Sequence, residues 1–293
     1  MASGSRSRRT RRSRPLQRVE RSEDDREEPE SVEQHPISIP DLRAVRLLLV
    51  RLGLPAELVY SIIDEAEYYP VVRGRYVGPQ ISLNATSGCQ KRGGSCAAQL
   101  CMLTPPIPGG APDESFKVKR VTWTIRGHDQ GWGGERPGTF RSAYSWYEAC
   151  IFRPVPSEGS STNSRPGTAH GGGYGTLSGL LRRKYCAPKD TQDDLQEAGY
   201  SLVPVPGTHP ASYTWLVQRN KAAKRDYVQY CLQWTAGEHV DPAEAEDAGR
   251  GIGAGFIESL QPGDRIGLWM RAQYPGWANF VKKAEVEVLY DVY

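Results

Sequence analysis

The sequence lacks long hydrophobic runs. No stretch approaches the roughly 18 uncharged apolar residues that indicate a membrane-spanning helix. The N-terminus also lacks the apolar segment of a secretory signal, because its first 15 residues include six arginines. We therefore expect a cytoplasmic or nuclear protein that is neither secreted nor inserted in a membrane.

The sequence has little net charge outside its first residues. The formal net charge is +3, and residues 1–31 hold nine arginines against seven acidic residues. From residue 32 onward, 28 basic residues face 27 acidic ones. We expect no general attraction to nucleic acid or to a membrane surface. The arginine-rich segment Arg6–Arg14 is the exception: it is either a polyanion-binding or nuclear-import patch, or a solvated tail without specific function.

Metal-ligand and cofactor motifs are also missing. The six cysteines include no Cys-x-x-Cys pair, and the five histidines are scattered. We predict no metal, no cofactor and, in an intracellular protein, no disulfide framework. A reactive or metal-bound cysteine between Cys89 and Cys101 stays open. The glycines at 251, 253 and 255 lack the βαβ context of a dinucleotide-binding loop.

The sequence pattern predicts a polar tail over residues 1–36, followed by a helical leader over residues 37–70. Residues 1–36 have too few apolar side chains to fold and are expected to be disordered. Within 37–70, apolar residues recur at spacings of three and four in two runs, which predicts two short helices. Asp41 is the expected cap of the first helix, and Pro55 opens the second.

From Val71 to Tyr293 the apolar period changes to two. At least six segments alternate apolar and polar residues, which predicts strands with one buried and one solvated face. Since antiparallel sheets tolerate such one-sided exposure, the expected fold is mainly β: an antiparallel β-sandwich of the jelly-roll or galactose-binding-like kind. Residues 154–199 do not fit the pattern, and we interpret them as a flexible insert with at most one short helix at 177–185.

Two loops carry the candidate ligand-binding residues. The loops at 126–134 and 271–279 present aromatic rings beside amide and charged groups, a combination that suits a sugar ring or a peptide segment. If both lie at the same end of the sandwich, one cleft is expected; alternatively, the tryptophan of the first loop folds back over the core. No nucleophile accompanies His128 and Asp129, so we predict a non-enzymatic binding module. The candidate residues are Asp129, Gln130, Trp132, Arg271, Tyr274 and Trp277.

Several segments resemble a group of uncharacterised filamentous-fungal proteins. In that group a Leu-Pro-x-Glu-Leu-Val helix precedes a β-domain, as Leu54–Val59 does here. The segments 129–132, 145–148, 216–220 and 263–277 are similar to recurring segments of that β-domain. The resemblance runs over most of 38–293 without the insert, and it implies a shared fold but no activity.

The Leu-Pro-x-Glu-Leu stretch also resembles the opening of an F-box, the motif that docks a substrate receptor on a ubiquitin ligase scaffold. The resemblance implies partner binding through helices 41–69, with Leu58, Val59 and Ile62 as contact residues. The alternative is that both helices only cover the sandwich. The leading hypothesis is a module that binds a glycan or a protein segment through its end loops, and the adaptor is the alternative.

Overall fold

The structure, a computed structural model, describes residues 36–87, 95–156, 177, 179–181 and 183–293. The expected disordered tail, apart from Pro36, lies outside the described residues, as do Cys89 and residues 157–176 of the insert. The described chain is mainly β, with two antiparallel sheets behind two short helices. This confirms the predicted fold class.

Two helices form the leader, α1 (Ile39–Arg51) and α2 (Ala56–Glu65). The Ser38 backbone N–H donates to Asp41 Oδ2 at 2.9 Å, and the Asp41 N–H donates to Ser38 Oγ at 3.3 Å. Ser38 is therefore the N-cap, and the prediction that Asp41 caps the helix is wrong by three residues. The two residues share one reciprocal capping box, so Asp41 still helps to start the helix. Within the described residues, neither these nor the later helices are long and apolar enough to cross a membrane.

The leader packs on the sandwich through a small apolar cluster and ion pairs. Leu42, Ile63 and Tyr69 are buried together against Leu289. Lys119 Nζ lies 2.8 Å from Asp64 Oδ1, and other ion pairs join Arg46 to Asp291 and Arg120 to Glu67. The carboxylates of Asp64 and Glu67 are more than half exposed, so these two pairs contribute little individually. The Arg46–Asp291 pair is largely buried.

In the described part of the chain, ten strands form the two sheets. Sheet A has the order β1-β10-β3-β8; sheet B has the order β5-β2-β9-β4-β6, with β7 also paired to β4. All described pairings are antiparallel. The strands are β1 Val71–Asn84, β2 Cys96–Leu103, β3 Phe116–Asp129, β4 Ser145–Pro154, β5 Lys184–Tyr185, β6 Tyr200–Leu202, β7 Trp215–Arg219, β8 Val228–Thr235, β9 Arg265–Gln273 and β10 Ala278–Val292.

Sheet A follows the predicted alternation. In β3 the side chains of Val121, Trp123 and Ile125 are fully buried between the sheets, whereas Thr122 and Thr124 are half-buried on the outer face. In β8, Tyr230 and its inward neighbours alternate with the exposed Gln229, Cys231 and Gln233. One face of this sheet is thus packed and the other is solvated.

Part of sheet B is buried on both faces, which corrects the prediction of one wet face for every strand. Trp269 and Phe152 point away from the main core and are nevertheless fully buried. They pack against Leu195 and Leu202, which come from the second half of the insert and the strand after it. The covering layer holds these apolar outer residues out of water.

That second half of the insert is ordered, in contrast to the predicted flexible insert. A short 3-10 helix (Pro188–Thr191) runs into α3 (Gln192–Glu197). Asp194 accepts a hydrogen bond from Tyr185 Oη at 2.7 Å and pairs with Arg183. The interpretation treated the insert as one segment, whereas the buried Leu195 anchors its second half on sheet B. Two further short helices, α4 (Pro242–Asp247) and α5 (Phe256–Ser259), follow β8.

Candidate functional site

The two predicted loops meet at one end of the sandwich. The Ala278 backbone N–H donates to Gln130 Oε1 at 3.2 Å, linking the loop after β3 to the start of β10. Gly276 adopts a φ of +87°, and a Cβ atom there would lie 2.6 Å from the Trp132 ring. Glycine is needed at this position for both its backbone and its size. The loops are thus packed against each other, as the candidate cleft required.

A buried amide network holds this end together. Asn220, which follows β7, donates through Nδ2 to Ser145 Oγ and to Asn279 Oδ1, both at 3.0 Å. Asn279 in turn donates to the carbonyl oxygens of Trp146 at 2.9 Å and Arg271 at 3.1 Å. All three network side chains are fully buried. Their bonds join four chain segments and fix the loops that leave them.

Asp129 belongs to the same frame and is not a surface ligand. Its fully buried carboxylate accepts hydrogen bonds from the backbone N–H groups of Gly131 at 2.8 Å, Ala223 at 2.7 Å and Lys224 at 3.0 Å. Burial raises the pKa of this carboxyl group, and the three N–H donors oppose that rise. Asp129 therefore anchors the loop after β7 to the end of β3.

Two of the candidate aromatics are exposed. Trp132 shows 54% of its surface and Tyr274 shows 47%, whereas Trp277 is 8% exposed and packs in a small alanine-rich cluster. Tyr274 has a φ of +71°, a left-handed conformation that is unfavourable for a tyrosine. The ring of Tyr144 stands edge-on to Tyr274 at 4.6 Å and to Trp277 at 5.2 Å. We call Trp132, Tyr144, Tyr274 and Trp277 the aromatic cluster.

The side chains of Gln130 and Arg271 already bind other groups of the protein. Gln130 Nε2 donates to the Trp132 carbonyl oxygen at 2.6 Å, so this side chain braces its own loop. Arg271 forms an ion pair with Glu148 and lies 5.2 Å from the Trp146 ring centroid. Both partners are on the outer face of sheet B, so the Arg271 side chain points away from the aromatic cluster. The structure thus brings Asp129, Gln130, Trp132, Tyr274 and Trp277 together, without Arg271.

Sequence reasoning missed Tyr144, Ser145 and Asn220. A signal for the first two was present: Tyr144 directly precedes β4, and the start of a strand lies beside the end of its antiparallel neighbour. No comparable local signal marks Asn220, because it follows β7 in a polar loop. Its position depends on pairing between distant segments.

The glycines near 253 serve packing. Gly253 has a φ of +65°, and a Cβ atom there would overlap the ring of Trp234. The indole Nε1 of Trp234 also donates to the Gly251 carbonyl oxygen at 3.0 Å. The short glycine-rich segment therefore packs against the core side chain of Trp234.

The cysteines show one difference from expectation. Cys96, Cys101, Cys150 and Cys231 are free, but Cys186 is disulfide-bonded. The prediction of no disulfides rested on an inferred compartment and not on geometry. Burial raises the pKa of the Cys101 thiol to about 12, so this thiol stays protonated. No group of three or more potential metal ligands occurs among the residues that the structure describes.

Comparisons with known proteins identify no family for this chain. No family model and no curated protein matches the chain. Among solved structures, the decameric BFDV capsid protein is similar with 11% sequence identity and a TM-score of 0.23; the match covers 76% of this chain and 98% of that one. The resemblance to the fungal group and to the F-box opening stays a prediction.

Proposed function

We propose that this protein is a non-enzymatic recognition module that binds a glycan or a protein segment at the end of the sandwich where the two loops meet. The observation that carries this proposal is the pairing of two exposed rings, Trp132 and Tyr274, with a fully buried polar frame. A binding surface needs side chains that face solvent and a support that keeps them in place.

Three features support binding at this place. The rings expose large apolar faces, which is costly in water and is compensated when a ligand covers them. The frame residues Asn220 and Asn279 fix the loops, so little conformational entropy is lost when a ligand binds. Tyr274 keeps an unfavourable backbone conformation, and backbone strain of this kind concentrates at functional sites.

The test is binding to an array of glycans and peptides with matched variants. Trp132→Ala and Tyr274→Gly each remove one exposed ring, and glycine accepts the left-handed backbone at 274. Tyr60→Ala removes an aromatic of similar exposure from α2 and is the control. We expect both end-loop variants to lose array signals that the control keeps. Equal signals from all the variants would overturn the proposal.

A second candidate function is favoured by the exposed side of the leader. Leu58 is 50% exposed and Ile62 is 42% exposed, and four more apolar side chains of the leader face solvent: Leu47, Leu48, Val50 and Leu52. Apolar side chains exposed together on a surface mark an interaction site. Together with the F-box resemblance, it supports an adaptor that docks on a ubiquitin ligase scaffold.

Only part of the expected contact set is accessible for this role. Val59 is 3% exposed, because it faces the protein interior, so contact falls to Leu58 and Ile62. Co-purification with the scaffold should be lost on Leu58→Asp and kept on Val77→Asp, which places the same charge on β1 at a 60% exposed position. Scaffold binding that survives Leu58→Asp would reject the adaptor.

A further inference from the structure

A groove of about 510 Å³ lies beside the aromatic cluster, between residues 140–144 and α4. Its lining includes Phe140, Ser142, Tyr144, Arg219, Glu246 and Asp247. Tyr144 lines this groove and also contacts Tyr274 and Trp277. The groove is thus a lateral continuation of the proposed binding surface, and none of the sequence-predicted residues lines it.

The groove has rigid walls. The Arg219 backbone N–H donates to the Gly249 carbonyl oxygen at 2.7 Å, which ties the segment after α4 to β7. On the opposite side, the Gly138 N–H donates to the Ala222 carbonyl oxygen at 2.7 Å. The Ala222 N–H donates to the Thr139 carbonyl oxygen at 2.8 Å. Both walls are therefore held by backbone hydrogen bonds and form a preorganised site.

Only some of the charged side chains of the groove have hydrogen-bond or ion-pair partners. Within the described part of the chain, the Arg219 guanidinium and the Glu246 carboxylate have no hydrogen-bond or ion-pair partner. Arg141 and Asp247 form a loose pair at 3.2 Å, with both side chains mostly exposed. Two cations face two anions, so the groove carries no excess charge of either sign.

We propose that this groove binds one ring of a neutral oligosaccharide; the inference rests on the proposed function and names its ligand class. A sugar hydroxyl both donates and accepts hydrogen bonds, so neighbouring hydroxyls match a guanidinium beside a carboxylate. Phe140 and Tyr144 supply apolar contact for the ring. The two carboxylates of the groove repel a sulfated or phosphorylated ligand, and its two arginines repel a cationic ligand. Charged ligands of either sign are therefore disfavoured.

Arg219 is the central binding residue in this proposal. It lines the groove from β7, and its planar group presents five donors in a fixed geometry. The ring bound here would continue past Tyr144 toward Tyr274 and Trp132, so that one oligosaccharide spans the groove and the aromatic cluster.

The experiment measures affinity for a panel of neutral, sialylated and sulfated oligosaccharides together with a peptide library. Arg219→Gln removes the charge and part of the donor set. Arg75→Gln makes the same change at an exposed position on the outer face of sheet A and is the control. We expect neutral oligosaccharides to bind, with a Kd that rises about tenfold or more in Arg219→Gln and stays unchanged in Arg75→Gln.

The outcomes separate the groove from the proposed function. Loss of binding in Trp132→Ala without an effect of Arg219→Gln would overturn the groove and leave the recognition module standing. Binding of only sulfated or sialylated glycans, or of only peptides, would likewise overturn the neutral-sugar assignment. If neither Arg219→Gln nor the two aromatic variants changes any binding, or no ligand binds at all, both proposals are rejected. A melting temperature that Arg219→Gln leaves unchanged shows that its effect is on binding.

Discussion

The side-chain amide of Asn220 donates a 3.0 Å hydrogen bond to Oδ1 of Asn279, joining the loop after β7 to the start of β10. Both residues are fully buried at the end of the sandwich that carries the exposed rings. The bond connects positions that are 59 residues apart in the chain. The geometry of the candidate site depends on this contact between sheets.

Asn279→Ala should lower the free energy of unfolding by about 2–3 kcal/mol, because it removes three buried hydrogen bonds, those with the Asn220 amide and with the Trp146 and Arg271 carbonyl oxygens. Chemical denaturation measures this loss. The control, Gln233→Ala on the exposed face of β8, should change stability by about 0.5 kcal/mol or less. A loss for Asn279→Ala as small as the control's would contradict the role of the network.

The two end-loop tryptophans should differ in their effect on stability. Trp277→Ala removes a ring that is 8% exposed and should cost about 3–5 kcal/mol. Trp132→Ala removes a ring that is 54% exposed and should cost about 1 kcal/mol or less. Thermal or denaturant unfolding of both variants decides the matter. Equal losses would mean that Trp132 is a core residue in solution.

Acid should weaken the docking of the leader. Hydrogen bonds with Lys119 and Tyr69 lower the pKa of Asp64, and a hydrogen bond with Arg120 lowers the pKa of Glu67. A carboxyl whose pKa is lower in the folded protein stabilises it above the unfolded-state pKa and loses this contribution as pH falls through the folded-state value. The relevant window therefore lies below about pH 4.5.

Melting temperatures measured across that window test the effect. The double variant Asp64→Asn, Glu67→Gln should lose less stability between about pH 5 and pH 3 than the native protein does. Since both carboxyl groups are more than half exposed, the difference should shrink at high salt. Identical pH profiles for the two proteins would show that these pairs do not stabilise the folded state.

Neighbouring residues of α2 should respond differently to charge. Val59→Asp buries a carboxylate at a 3% exposed position and should cost about 3 kcal/mol or more. Leu58→Asp acts at a half-exposed position and should leave the melting temperature nearly unchanged. This pair also validates Leu58→Asp as a test of partner binding. A large loss of stability in Leu58→Asp would show that the residue is structural.

Leu195→Ala should open the layer over sheet B without unfolding sheet A. The side chain is fully buried among Phe152, Trp269 and Leu202, so its removal should cost about 2–4 kcal/mol. Amide hydrogen exchange should then become faster at 183–202 and stay slow in β3 and β10. Unchanged exchange at 183–202 would mean that other contacts hold this layer.

Part of the fold could be predicted because its information is local. In the leader, the spacing of Leu42 and Val45 follows the period of a helix. In β3, the spacing of Val121, Trp123 and Ile125 follows the period of a strand. The double burial of Trp269 was not predictable in this way, because its cover comes from Leu195 and Leu202, which are far away in the sequence.

The candidate site divides along the same line. The sequence by itself determined that the loops at 126–134 and 271–279 carry aromatic side chains beside predicted strands. Only the tertiary structure decided that Trp132 and Tyr274 face solvent, that Trp277 and Asp129 are buried supports, and that Arg271 points to the other side of sheet B. The physical reason is that periodicity records which face of its own element a residue occupies, whereas exposure depends on which distant segments cover that face.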